Sequence, residues 1–238
     1  MTRDLVYGRN AVRELYRGPR EALETWVTER AATQIPWLDA GPRPQVKPER
    51  ALAEAAGSRD HQGVVAWCEP FRYADAWELA AGPRTLIVCL DQVTDPHNLG
   101  AVARSSDGAG ATGVVVPAHG SARVTPAVCR ASAGAVEHLP IAVVPNLARY
   151  LADVKSSEVW VHGADADGSL QLWDADLTGG VALVLGAEGR GLRPLVRRAC
   201  DALVSIPLAG HVGSLNVSVA AAVLLFEARR QRSAGAPS

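Results

Sequence analysis

Three stretches of the chain set polar side chains among glycines in a way that suits chemistry on a bound ligand. The first runs Asp91-Gln-Val-Thr-Asp95-Pro-His-Asn98-Leu-Gly-Ala-Val-Ala-Arg104. The second is Gly186-Ala-Glu188-Gly189-Arg190-Gly191, and the third is Gly213-Ser214-Leu215-Asn216-Val-Ser218. Amide, guanidinium, carboxylate and hydroxyl groups from such distant segments are the types that position a substrate and handle its protons. Each also has a plainer duty open to it. Asn98 and Ser214 are good helix N-caps, Glu188 suits the positive end of a helix dipole, and Arg104 suits a solvated surface. Yet Arg104 sits amid Leu99, Ala101, Val102 and Ala103, where a guanidinium calls for a phosphate or carboxylate partner. After Glu188, residues Arg190, Arg193, Arg197 and Arg198 form either a phosphate patch or a solvated helix face.

Each stretch follows a short apolar run: Thr85–Leu90, Val181–Leu185 and Ala202–Ile206. Similar runs at Gly113–Val116, Ile141–Val144 and Val159–His162 alternate with helical patterns near Leu99–Ala109, Leu147–Val154, Leu192–Cys200 and Leu215–Arg230. This predicts an α/β fold whose parallel sheet is covered on both faces, with ligands at the carboxyl ends of its strands. The last helix is apolar all round, so it must be buried, which points to a subunit interface. Upstream lies a smaller α/β unit: helices Asn10–Tyr16 and Glu49–Ala56, and strands Leu23–Thr28, Gln45–Lys47 and Gly63–Trp67. Prolines and glycines between Glu69 and Arg84 predict a first domain at 1–70, a linker at 71–83 and a second domain at 84–238.

The 238 residues are 48% hydrophobic and 21% charged, with a net charge of −1. Those values exclude a disordered or fibrous chain, and a nucleic-acid partner must be held by a local patch. Cys68, Cys89, Cys129 and Cys200 are widely spaced without a CxxC, so neither a metal site nor a disulfide framework is expected, and a reducing cytoplasm suits them. Met1 leads into Thr-Arg-Asp without an apolar signal region. Leu203–Phe226 lacks charged residues, but its unbroken apolar part, Val219–Phe226, falls short of the ~20 residues a membrane span needs. Gly108-Ala-Gly110-Ala-Thr-Gly113 matches a dinucleotide-binding motif, yet it follows a helix and precedes a strand. That is the reverse of what a nicotinamide enzyme requires.

The three stretches resemble motifs 1, 2 and 3 of the SpoU/TrmH branch of the SPOUT RNA 2′-O-methyltransferases, over residues 85–232. The front unit, ending Arg59-Asp-His61-Gln62-Gly63-Val-Val, resembles the L30e-like RNA-binding domain of one subgroup. That subgroup methylates a guanosine ribose in the peptidyl-transferase region of 23S rRNA. The resemblance implies a parallel-sheet SPOUT domain with a C-terminal trefoil knot, a homodimer, S-adenosylmethionine as donor, and no metal. It carries catalytic roles onto Asn98, Arg104, Glu188, Ser214 and Asn216, and donor contacts onto Gly186, Gly189, Ile206, Leu208 and Leu215. RNA contacts are expected at Arg190, Arg193, His61 and Gln62, although a turn before a strand explains the last two equally well. The family's proposals cast Arg104 as a base. Because a guanidinium stays protonated in proteins, we expect it to grip a phosphate and the developing alkoxide. A tRNA methyltransferase, or a catalytically silent RNA-binding assembly protein, is the alternative.

Overall fold

The computed structural model describes residues 2–155 and 158–234. Along the chain run β1 (Asp4–Tyr7), α1 (Arg9–Arg17), β2 (Ala22–Val27), α2 (Glu29–Gln34), β3 (Gln45–Val46), α3 (Glu49–Ala56) and β4 (Val64–Cys68). Then come β5 (Leu86–Asp91), α4 (Pro96–Ala109), β6 (Gly113–Pro117), α5 (Pro126–Ala131), β7 (Ile141–Val144) and α6 (Leu147–Lys155). The chain continues with β8 (Val159–Ala164), β9 (Leu170–Gln171), β10 (Gly180–Gly186), α7 (Pro194–Ala199), β11 (Ala202–Ser205) and α8 (Val217–Ala234). It divides into two compact units, one ending at Arg72 but including Arg123–His138, the other holding Tyr73–Ala122 and everything from Leu139 on.

In the first unit four strands lie in the order β1-β4-β2-β3. β4 is antiparallel to β1 and β2, and β3 joins parallel to β2. Thr28 caps α2, its hydroxyl accepting from the Ala31 amide at 3.2 Å. β1 and α2 were not anticipated from sequence, because both are too short for their periodicity to stand out. Arg123–His138 is tied in by a buried ion pair. The Arg20 guanidinium, 7% exposed, donates from Nε to Glu137 Oε2 at 2.9 Å and from a terminal nitrogen to Oε1 at 2.5 Å. It also donates to the Glu69 carbonyl at 3.2 Å.

The second unit holds seven parallel strands in the order β7-β6-β5-β10-β8-β11-β9. Every residue of β5 is buried, as a central strand covered on both faces demands. Ile87, Cys89, Ala182 and Val184 pack with Leu147, Tyr150, Leu151 and Val154 of α6 and Val196 of α7. The alternate residues face the side where α4 and α8 lie against each other and against β6 and β10. Residues Tyr73 onward, read from sequence as linker, are built into this unit. Ala76 and Ala80 are buried, Ala74 bridges Ala142, and the Tyr150 hydroxyl donates to the Ala76 carbonyl at 2.8 Å.

The glycines of 108–113 serve the connection between a helix and a strand. Gly110 ends α4 in the left-handed region at φ 77°, while a Cβ on Gly113 would meet Leu79 at 2.6 Å and the Pro140 carbonyl at 2.8 Å. Helix α8 is only partly covered within one chain: Ala221, Leu224, Leu225 and Ala228 are buried, but Val219 and Phe226 are 48% and 50% exposed. Among the described residues no helix is long and apolar enough to cross a membrane.

Candidate active site

β5 and β10 are hydrogen-bonded neighbours in a register that sets Asp91 opposite Gly186. The loops leaving their carboxyl ends, the first and second stretches, therefore start side by side. Pro96 occupies the first turn of α4, and its N-cap is Asp95, whose carboxylate accepts from the His97 amide at 2.8 Å. Asn98 is thus not the cap. It is the third residue of the helix, with its amide free to reach outward, and its Nδ2 donates to Glu188 Oε1 at 3.1 Å.

The third stretch completes the cluster. Asn216 Nδ2 donates to Asn98 Oδ1 at 3.0 Å and to Glu188 Oε1 at 2.5 Å. Its own Oδ1 accepts from the Ser218 amide at 2.9 Å and hydroxyl at 2.6 Å, which makes Asn216 the N-cap of α8. One side chain both starts the helix and ties three distant loops together. Ser214, for which capping was the plainer alternative to a catalytic role, is exposed and makes no hydrogen bond among the described residues. Glu188 is exposed and its Oε2 accepts no hydrogen bond among the described residues, so one carboxylate oxygen remains available to a cationic or hydrogen-bonding ligand.

The glycines of the second stretch are demanded by its own return. A Cβ on Gly186 would overlap the backbone of Gly191 and Leu192. Gly189 and Gly191 are left-handed, at φ 73° and 64°, with open space where a side chain would stand. The turn closes by the Gly191 amide donating to the Ala187 carbonyl at 2.9 Å. Its far end is anchored by Asp91, which is fully buried and accepts from the Arg193 amide at 2.8 Å and from Arg193 Nε at 2.7 Å. Sequence reading did not single out Asp91. The available signal was an acid closing a wholly apolar strand, which must be paired if buried, but its partner lies 102 residues away.

Arg104 lies on α4 beyond Asn98, rotated from it by about 120° at 3.6 residues per turn. It is exposed and makes no hydrogen bond or ion pair among the described residues, so the Asn98–Glu188–Asn216 cluster forms without it. Ile206 is half-buried, while Leu208 and Leu215 are 40% and 37% exposed. Open apolar side chains and a free carboxylate oxygen are the chemistry that a donor joining an adenosine to a cationic sulfonium calls for. Among the basic residues, Arg190 is exposed. Arg193 is held by Asp91, and Arg197 pairs with Asp165 at 2.9 Å, which shrinks the expected phosphate patch.

His61 and Gln62 build the turn before β4. The buried His61 ring accepts through Nδ1 from the Gly63 amide at 3.1 Å, so it presents no surface to RNA. Gln62, at φ 53°, accepts the Arg9 amide on Oε1 at 2.9 Å. Burial pushes the Cys68 and Cys200 thiols up to about 11 and Cys129 to about 12, which leaves no ready thiolate among them. Among the described residues no three His, Cys, Asp or Glu side chains are grouped to hold a metal.

Residues 85–226 match the SpoU rRNA Methylase family, and residues 5–74 match the RNA 2'-O ribose methyltransferase substrate binding family. The chain is 42% identical to the 23S rRNA (guanosine-2'-O-)-methyltransferase RlmB of Pseudomonas syringae, over 96% of each chain. It is 40% identical to the RlmB of Shewanella oneidensis, over 96% of this chain and 98% of that one. Among solved structures, the SpoU methyltransferase AviRb of Streptomyces viridochromogenes in complex with AdoMet superposes with a TM-score of 0.82. It is 29% identical, and the match covers 98% of this chain and 91% of that chain. With its three loop stretches meeting at Asn98, Glu188 and Asn216, this chain belongs to the SpoU rRNA methylase family.

Proposed function

We propose that this protein transfers the methyl group of S-adenosylmethionine to the ribose 2′-hydroxyl of a guanosine in 23S rRNA, in the peptidyl-transferase region. The observation that carries the reading is the Asn98–Glu188–Asn216 cluster, drawn from three stretches and set where adjacent parallel strands end. The match over residues 5–74 supports an RNA substrate, and the relatives named for 23S rRNA, which align along both units, favour rRNA over tRNA.

S-adenosylmethionine supplies an activated methyl on a positively charged sulfur. The chain's task is to hold that methyl in line with a hydroxyl oxygen and stabilise the charge that develops there. Gly186, Gly189, Ile206, Leu208 and Leu215 line the donor side. Asn98 and Asn216 fix Glu188, and with it the two loops that bear on the donor. Ser214 is left free to hydrogen-bond at the reacting sugar. Arg104, a guanidinium on α4 without an ion pair among the described residues, grips the neighbouring phosphate and the developing alkoxide. Arg190 and the free end of Arg193 meet the RNA backbone.

This reading includes an L30e-like front domain, a trefoil knot in the last third of the chain, action in the cytoplasm, and a homodimer. The exposed apolar stripe of Val219 and Phe226 supports the dimer.

Purified protein is incubated with methyl-labelled S-adenosylmethionine and either deproteinised 23S rRNA or total tRNA, and ribose methylation is mapped. A guanosine label in 23S rRNA is expected; label in tRNA alone, or none, overturns the reading. Arg104→Ala is expected to lose transfer at least about 100-fold while binding the donor as tightly as wild type.

A further inference from the structure

On the first unit's sheet, α3 covers only part of the face that carries Leu5, Tyr7, Val65 and Trp67. Leu52 seals Tyr7 and Val65, and past that helix two half-exposed indoles take over. Trp26 on β2 and Trp67 on β4 meet edge to face, with ring centroids 4.5 Å apart at 65°. A cation lies over each: the Arg3 guanidinium 5.1 Å from the Trp67 ring centre, and the Lys47 ammonium 5.3 Å from that of Trp26.

The strand register builds this array. Glu24 stands opposite Trp67, and Gln45 stands opposite Trp26. Glu24 Oε1 accepts from the Trp26 indole at 2.7 Å and from Gln45 at 3.3 Å, while Oε2 accepts from Arg3 at 2.9 Å. The acid therefore fixes the orientation of the Trp26 ring, against which Trp67 packs, and leaves one of the two flanking charges, Lys47, without an ion pair among the described residues.

We propose that Trp26 and Trp67 form a stacking platform for one or two unpaired bases of the RNA substrate, with Lys47 and Arg3 meeting the flanking phosphates. The proposal rests on the RNA-methylation reading above. Indole faces stack on any base, so such a platform tolerates sequence, and bases within an A-form duplex are closed to it. An exposed cation–π contact is weak enough for Lys47 to turn outward to a phosphate at little cost, and the exposed Arg3–Glu24 pair gives up little when Arg3 does the same.

The full-length protein is titrated by fluorescence anisotropy with a labelled ten-nucleotide single-stranded RNA and with a hairpin of the same sequence. Trp67→Leu is expected to weaken single-strand binding about 10-fold, and Trp67→Phe much less. Lys47→Ala is expected to weaken it about 3-fold and to reduce the salt slope by about one. All three should bind S-adenosylmethionine as wild type does, and Trp67→Leu should raise KM for 23S rRNA without lowering kcat. A folded Trp67→Leu protein with unchanged single-strand affinity, or one that loses hairpin and single-strand binding equally, overturns the proposal. Should Trp67→Leu not fold, crosslinking of a 4-thiouridine oligonucleotide to wild type decides. Adducts on peptides bearing Trp26 or Trp67 support it, and adducts only elsewhere overturn it. Trp67-dependent binding by a protein that methylates no RNA would keep the platform and remove the enzymatic reading.

Discussion

Asn216 Nδ2 lies 3.0 Å from Asn98 Oδ1, joining residues 118 positions apart. The same amide caps α8 through Oδ1 and meets Glu188 through Nδ2. Asn216→Asp keeps the capping oxygen but removes both donors and sets a second carboxylate against Glu188. Its melting temperature should fall by only a few degrees, a change of about 1 kcal/mol, while methyl transfer falls about 100-fold or more. Asn216→Ala also loses the cap and should cost about 1 kcal/mol further. Calorimetry and single-turnover transfer on both variants test this separation. Transfer at wild-type rate in Asn216→Asp would refute it.

Asp91 is fully buried, whereas its partner Arg193 keeps 41% of its side chain exposed. The two ends of this pair therefore differ in what their removal leaves behind. Asp91→Ala frees a guanidinium that water can reach, at a cost of about 2 kcal/mol. Arg193→Ala leaves a carboxylate in the interior with a single backbone donor, and should cost about 3 kcal/mol. Urea unfolding of both variants reads the order, and the reverse order would show that the pair is not what anchors the glycine turn.

The Arg20–Glu137 pair is buried at both ends, with the side chains 7% and 1% exposed. Glu137→Ala strands a guanidinium between Glu69 and Asp4 and should cost about 3–5 kcal/mol, whereas the double replacement Arg20→Met with Glu137→Leu should recover most of that loss. Urea midpoints check the ordering, and limited proteolysis should cut Glu137→Ala first within 123–138. A single variant as stable as the double one would contradict the account.

The sheet and its site were legible to different degrees. Six of the second unit's seven strands announced themselves as apolar runs, and each chemistry-bearing stretch followed one of them; β9, two residues long, carries no pattern to read. Their convergence depends on β10 inserting beside β5, a spatial order that periodicity does not encode. The plainer capping duty open to Asn98 and Ser214 is filled by other residues in both helices. Asn98 and Ser214 are good caps by type, yet Asp95 and Asn216 took those places, because the choice turns on where the first helical amide falls. The segment 123–138 was invisible as part of the first unit, since the Glu137 that ties it to Arg20 is an ordinary acid until its partner, 117 residues away, is placed.

His162 on β8 offers a pH test of the fold. It is 7% exposed, and both ring nitrogens are buried without a hydrogen-bond partner among the described residues. Burial holds its pKa below the ordinary histidine value, with Asp201 and Asp176 acting in the opposite direction. The unfolded chain takes up a proton at this residue below about pH 6.5, while the folded chain stays neutral until a lower pH. Stability from this group is therefore full above the unfolded pKa, and it is lost as pH falls below it toward the folded pKa. The slope can reach about 1.4 kcal/mol per pH unit. His162→Gln removes the titration, so the gap between its urea midpoint and that of wild type should change steadily from pH 7 to pH 5 in the variant's favour. A gap that stays constant over that range would mean that the ring is protonated, or solvated, in the folded protein.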